Sequence, residues 1–174
     1  MIKSCHVFLE RLKQSDFDFY HSIYTDSYLM SHIGNILTLE EVTKLFHICL
    51  KEMQQLNPKN LTFVMLNTKT REKMGLIGLN WVQSNCDEVE GGIMLKKKFH
   101  SKGYAKYAMD ILISYAFNEL RIKKIIAYCF ANNLAANAIN KQMGFILESK
   151  SQDENKFFFK NKWVLIRKME SGHK

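Results

Sequence analysis

Apolar positions along this chain change their period several times, and each change marks an element. Val42, Leu45, Phe46, Cys49, Met53 and Leu56 recur with the 3.6-residue rhythm of one helix face. Thr38 and Glu41 predict a capping box at its start, and Asn57-Pro58 predicts its stop. Before it, Val7 to Arg11 alternates as a strand. Ser15, with Asp18 three residues on, predicts an N-cap for a helix with Tyr20, Ile23, Tyr24 and Ser27 on one face. Residues 31–36 read as a loop. Past Pro58 the runs Leu61 to Leu66, Met74 to Val82 and Glu88 to Leu95 are strand-like, with polar turns at 67–72 and 83–87, so an antiparallel meander is predicted. Ala105, Ala108, Met109, Leu112, Ile113, Ala116 and Phe117 then restore the helical period between Tyr104 and Asn118. Lys124 to Phe130 is a β-type run, and Asn133 to Met143 a short helix stopped by Gly144. Phe145 to Ser149 and Phe157 to Met169 read as strands joined by a polar turn at 152–155. The order βααβββαβαββ predicts a mixed α/β fold, its sheet flanked by helices on both faces.

The stretch from Glu90 to Met109 carries the first chemical signal. An apolar run ends at Leu95, four lysines and no acid occupy 96–103, and a helix then opens at Gly103-Tyr104. The first N–H groups of a helix lack partners within it, and its macrodipole adds positive charge there. Strand, basic turn with one glycine and helix therefore suit an anion, with Lys102 and Lys106 adding charge. A solvated lysine loop is the other reading of the same residues. The stretch has neither the Gly-Lys-Ser/Thr ending of a Walker A loop nor Gly-x-Gly-x-x-Gly.

Composition narrows the classes. A chain of 174 residues with 47% hydrophobic residues and one proline, Pro58, is expected to form one domain, 1–174. No apolar core of a signal peptide follows Met1 and no run approaches 18 apolar residues, so no membrane role and a cytoplasmic location are expected. Cys5, Cys49, Cys86 and Cys129 form no Cys-x-x-Cys, so reduced thiols and no metal are expected, with Cys49 and Cys129 in the core and Cys86 in an exposed turn. The net charge of +8 is uneven: residues 1–50 carry four Lys/Arg and six Asp/Glu, and the remainder 21 and 11. Two faces of opposite preference, or mere surface drift, both fit this asymmetry. A basic pI of 9.3 without aromatic–basic interleaving argues against a nucleic-acid partner.

Three features then coincide. His100-Ser-Lys-Gly103-Tyr-Ala105 occupies the slot Arg/Gln-x-x-Gly-x-Gly/Ala. Asn133-Leu-Ala-Ala136, with Gly144-Phe145 following, matches Asn-x-x-Ser then Gly-Phe. Two helices separate the first two strands. Together they resemble the GNAT acetyltransferase superfamily, most closely its ribosomal-protein N-terminal acetyltransferase branch, over about Val7 to Met169. The resemblance implies a mixed, mostly antiparallel GNAT sheet and acetyl-CoA as acyl-donor co-substrate. It implies that His100, Ser101, Lys102, Gly103, Tyr104 and Ala105 surround the pyrophosphate. Ile93, Met94 and Leu95 would run beside the pantetheine arm, with Asn133 touching it and a strand N–H near Met94 serving the oxyanion. Asn140 falls where many relatives carry a tyrosine that protonates the leaving thiolate. His100 for Arg or Gln, Ala136 for serine and Asn140 for tyrosine are departures, so no general acid is identified: Asn140 orients a water, or the thiolate leaves unaided.

The implied reaction is attack of a primary amine on the thioester, with Glu90 as base and Glu88 as second choice. An α-amine of pKa about 8 is roughly a tenth neutral at pH 7, whereas a lysine at about 10.4 is neutral about once in 2500. A protein N-terminal α-amine is thus favoured over other primary amines, with small-molecule amines as alternatives. Relatives build the acceptor site from the first two helices and the 31–36 loop, where Asp26, Glu40 and Glu41 would make that end acidic and Tyr28 and His32 could line it. Tyr128 is either packing or a substrate contact. The chain is expected to be a monomer or homodimer. A non-catalytic acyl-CoA-binding protein on the same fold is the alternative from another class.

Overall fold

A computed structural model describes residues 2–3, 5–82, 87–152 and 159–167. Cys86, the 153–155 part of the last turn and both ends of the final predicted strand lie outside the described residues. Eight strands form one sheet: β1 (Ile2–Lys3), β2 (Val7–Arg11), β3 (Asn60–Asn67), β4 (Lys73–Trp81), β5 (Glu88–Leu95), β6 (Lys124–Phe130), β7 (Ile146–Gln152) and β8 (Phe159–Ile166). Their order is β1-β2-β3-β4-β5-β6-β8-β7. Every neighbouring pair is antiparallel except β5–β6, which runs parallel. The mixed, mostly antiparallel sheet expected from the strand order is the sheet observed.

Helices cover both faces. α1 (Phe17–Tyr24) and α3 (Leu39–Met53) pack Tyr20, Ile23, Val42, Phe46 and Cys49 against Phe8, Val64 and Leu76. On the other face α4 (Tyr104–Asn118) lays Ala108, Met109, Leu112 and Ala116 against Leu79, Val89, Ile125 and Trp163. α2 (Ser27–Met30) and α5 (Leu134–Gln142) are shorter and flank the open end of the sheet. The Thr38–Glu41 capping box forms as expected: Thr38 N–H donates to Glu41 Oε2 at 2.7 Å, and Glu41 N–H to Thr38 Oγ1 at 3.3 Å.

The expected Ser15 cap does not form. Asp16, 1% exposed, instead accepts from Lys13 N–H at 3.0 Å and meets Lys73 Nζ at 2.6 Å. A cation from β4 selects the next residue as the helix-entry carboxylate. The first predicted helix also breaks, because Asp26 accepts from Leu29 N–H at 3.0 Å and starts α2 anew.

One side chain, Asn137, makes most of the polar contacts of α5, while Ile139 packs against the core. Asn137 Oδ1 accepts from Asn161 Nδ2 at 2.7 Å, Trp163 Nε1 at 3.0 Å and the Cys129 thiol at 3.3 Å. Its Nδ2 donates to the carbonyls of Asn133 at 2.8 Å, Phe130 at 3.0 Å and Ala131 at 3.3 Å. Removing it strands an indole N–H and loop carbonyls, the costly kind of loss. Asn137→Ala is expected to lower unfolding free energy by about 2–4 kcal/mol in chemical denaturation. Leu134→Ala, at a position 78% exposed on the same helix, should stay within about 0.5 kcal/mol of wild type.

Candidate active site

β5 keeps both neighbours for only part of its length. Its ladder with β4 runs from Trp81↔Val89 to Gly75↔Leu95, but its ladder with β6 covers only Glu88↔Lys124, Val89↔Ile125 and Glu90↔Ile126. β6 stays with β8 as far as Phe130↔Lys160. The two strands therefore part after Glu90 and Ile126, and a wedge opens between them. Val82 N–H donates to Glu88 C=O and Lys96 N–H to Met74 C=O. Antiparallel pairing alternates, so the even-numbered residues of β5 turn their backbone groups toward β4. Ile93 and Leu95 turn theirs into the wedge. Of the strand N–H groups near Met94, that of Met94 itself belongs to the β4 ladder, and those of Ile93 and Leu95 face the wedge.

At the end of β5 the chain makes a 3₁₀ turn, Lys97–Phe99, and then two left-handed residues, Ser101 (φ 58) and Gly103 (φ 77), before α4 begins. Alternating backbone hand turns successive N–H groups to one side. The amides of Ser101 to Ala105 donate to no carbonyl of the described chain. A β-carbon on Gly103 would find room, its nearest neighbour being Tyr107 Cε2 at 3.5 Å. The positive φ is what calls for glycine there. The site thus presents free amides, a helix N-terminus and the positive end of the α4 dipole together.

His100 turns inward. Its Nε2–H donates to the Leu95 carbonyl at 2.6 Å, so one outward group of the open edge is satisfied internally. Its ring lies 5.9 Å from Tyr28, which meets His32 edge-on at 5.4 Å and lies under Lys97 Nζ at 4.7 Å. These groups enclose a cavity of about 290 Å³ walled by Ile93, Met94 and Leu95 of β5, by His100, Ser101, Gly103, Tyr104 and Ala105 of the turn, and by Asn133 before α5. Leu29, Ile33, Phe99 and Ala135 also wall it and were not singled out from the sequence. Their small or apolar side chains carry no signal of their own; only the fold brings them together.

The remaining sequence candidates sit elsewhere. Lys102 is exposed and off the cavity wall. Lys106 pairs with Asp110 at 2.8 Å, and Lys98 with Glu72. Asn133 caps α5, its Oδ1 accepting from Ala136 N–H at 3.0 Å. Asn140 is 5% exposed, off the wall, with Nδ2 3.8 Å from Cys129 Sγ. Burial pushes the Cys129 thiol up, with hydrogen bonds from Trp163 and Asn140 pulling it partly back. No carboxylate walls the cavity. Of the carboxylates expected at the acceptor end, Asp26 caps α2, Glu41 completes the α3 capping box and Glu40 is exposed, and none of them walls the cavity.

Glu90 stands where the wedge begins, in the last residue pair that β5 shares with β6. Its side chain has the parity of Met94, hence the α1–α3 face of the sheet. Withdrawal of water by the surrounding sheet raises its carboxyl pKa above the ordinary value, and the Lys160 ammonium acts in opposition. Across the open side of the sheet, Gly92 leaves the space beside it empty, since a β-carbon there would meet nothing within 4 Å. A carboxylate of raised basicity therefore stands at the apex of a cleft that could admit a ligand along its edge.

Known proteins resemble this chain in sequence or in fold. The family described as acetyltransferase (GNAT) domain matches residues 6–146. A Bacillus subtilis protein named as a ribosomal N-acetyltransferase, YdaF, is 30% identical over 79 residues, 45% of this chain and 43% of its own length, so the match spans less than half of that relative. Among solved structures, RimL, a ribosomal L7/L12 alpha-N-protein acetyltransferase in complex with coenzyme A, superposes with a TM-score of 0.83 at 16% identity, covering 95% of this chain and 98% of its own. Spermidine N-acetyltransferase from Vibrio cholerae, in complex with CoA and spermine, gives 0.82 at 18%, covering 94% and 96%. At these identities the superpositions speak for the fold, while the family match spans most of the sequence: the chain belongs to the GNAT acetyltransferase family.

Proposed function

We propose that this chain transfers the acetyl group of acetyl-CoA to a primary amine, with the α-amine of a protein N-terminus as the favoured acceptor. The observation that carries this reading is the parting of β5 from β6 immediately beside the free amides that open α4. Acetyl-CoA, the co-substrate, supplies a thioester, a diphosphate and a pantetheine arm bearing two amides. The residues present fit each part. Amides of Ser101 to Ala105 hold the diphosphate at the helix N-terminus. The outward groups of Ile93 and Leu95 pair with the arm as an added strand would. Asn133 and Tyr104 close the sides of the cavity around it.

Glu90 takes the proton from the incoming ammonium, directly or through water. The amine then forms the C–N bond, the C–S bond breaks as the tetrahedral intermediate collapses, and the second amine proton passes through water to the departing thiolate. The free N–H groups of the β5 edge are the donors for charge developing on the carbonyl oxygen. Asn140 is buried against Cys129 and off the cavity wall, so the thiolate departs without a side-chain acid.

Release of free thiol from acetyl-CoA, followed with added peptides and small amines, tests the reading. Amine-dependent release is the expected result. Binding of CoA without release for any amine across a broad panel would leave a non-catalytic acyl-CoA-binding protein instead. Gly103→Glu is expected to weaken acetyl-CoA binding by at least about 100-fold, because a carboxylate then faces the diphosphate; calorimetric titration reads this directly. Glu90→Gln should lower kcat by about 10²–10⁴-fold with little change in the KM for acetyl-CoA. With wild type the rate rises with pH as Glu90 loses its proton, and that limb should lie above the ordinary carboxylate range and vanish in the variant.

A further inference from the structure

Resting on the amine-transferase reading above, we infer that Tyr128 is a specificity-determining residue for the acceptor, selecting an α-amine followed by an apolar side chain over one followed by a charged side chain. Glu90 pairs with Ile126 across the parallel β5–β6 ladder, which puts the two side chains on one face of the sheet. Alternation along each strand adds Gly92 and Tyr128 to that face. Glu90, Gly92 and Tyr128 are all exposed, Tyr128 at 47%. A β-carbon at Gly92 would meet nothing within 4 Å. The three residues therefore bound an open shelf, with the proposed base on its β5 side and a phenol ring on its β6 side.

The ring is within reach of a peptide on that shelf. Tyr128 stands two residues beyond Ile126, the strand partner of Glu90. With neighbouring strands about 4.8 Å apart and a rise of about 3.3 Å per residue, its Cα lies roughly 8 Å from that of Glu90. An extended chain advances about 3.3–3.6 Å per residue. A peptide with its α-amine at Glu90 thus brings its second residue between the carboxylate and the ring.

The surroundings favour an apolar group at that point. Lys162, the β8 partner of Tyr128, meets Glu148 at 2.5 Å, and Lys124 meets Glu88 at 3.3 Å. Lys160 acts electrostatically on Glu90 itself. Charges matched within the sheet give little to a carboxylate or a second ammonium on the acceptor, and either would lose water to lie against the ring. Apolar surface continues from Tyr128 instead: Ile166 and Ile146, 67% and 73% exposed, turn to the same face through their pairing with Lys124 and Val164. An apolar second side chain gains by covering the ring.

The test uses the full chain and initial rates of thiol release from acetyl-CoA. Four hexapeptides share an N-terminal serine and differ only at position two, which is leucine, alanine, glutamate or lysine. Leucine is expected to be best, with kcat/KM about 10-fold above glutamate and lysine. The gap should persist at high salt, because it comes from burial and not from screened charge. Tyr128→Ala should erase the preference by raising the KM for the leucine peptide, with the KM for acetyl-CoA unchanged. Tyr128→Phe keeps the ring and should restore the preference. Equal rates for the four peptides, a leucine preference that survives Tyr128→Ala, a loss of kcat in Tyr128→Phe, or release with small amines alone would each overturn the inference and leave the transferase reading standing. No amine-dependent release with any peptide or small amine would overturn both.

Discussion

A strand in the middle of a sheet normally has both rows of backbone groups paired, and β5 breaks this rule. Beyond Glu90 it is held on one side by β4 and abandoned on the other by β6. Unpaired N–H and C=O groups away from water are costly, so the edge needs partners. His100 supplies one, at the Leu95 carbonyl. The others remain for a ligand bearing amides of its own. Because the β4 ladder continues through Gly75↔Leu95, the edge stays rigid while it is open, and a ligand need not pay to order it.

The same break accounts for the position of everything chemical. Glu90 lies in the last closed pair, so its carboxyl is shielded by sheet on one side and opens to the cleft on the other. The turn that follows β5 can stand at the wedge because β6 is not there to fill it. Its left-handed residues then aim amides where the arm of a ligand would end. Lysines alone would not make this site: Lys98 and Lys106 are neutralised by Glu72 and Asp110. Its anion preference comes chiefly from the backbone, which also explains how His100 can stand in the Arg/Gln slot and be used for the strand edge.

Elements governed by local rules were legible in the sequence. The bounds of β5, α4 and β6 follow from hydrophobic period, and the Thr38–Glu41 box from residues three apart. What escaped depends on distant partners. Ser15 looks like a cap until Lys73, from another strand, chooses Asp16. Asn137 carries no periodic signal, yet it ties α5 to β6 and β8 through groups far apart in the chain. Which β5 amides face the wedge is a matter of ladder parity, and parity is set by where β4 pairs. Residues 93–95 were legible as a strand, and they wall the cavity, while the orientation of Met94 within it was not.

With Glu90 as the proposed base, its electrostatics bear on the kind of amine the proposed reaction favours. Desolvation raises its proton affinity, and Lys160 restrains that rise. A carboxyl whose proton affinity is raised is a better base than an ordinary one. The gap it must bridge is then narrow for an α-amine near pKa 8 and wide for a side-chain amine near about 10.4. In the proposed reaction, proton affinity therefore favours a weakly basic amine over a strongly basic one.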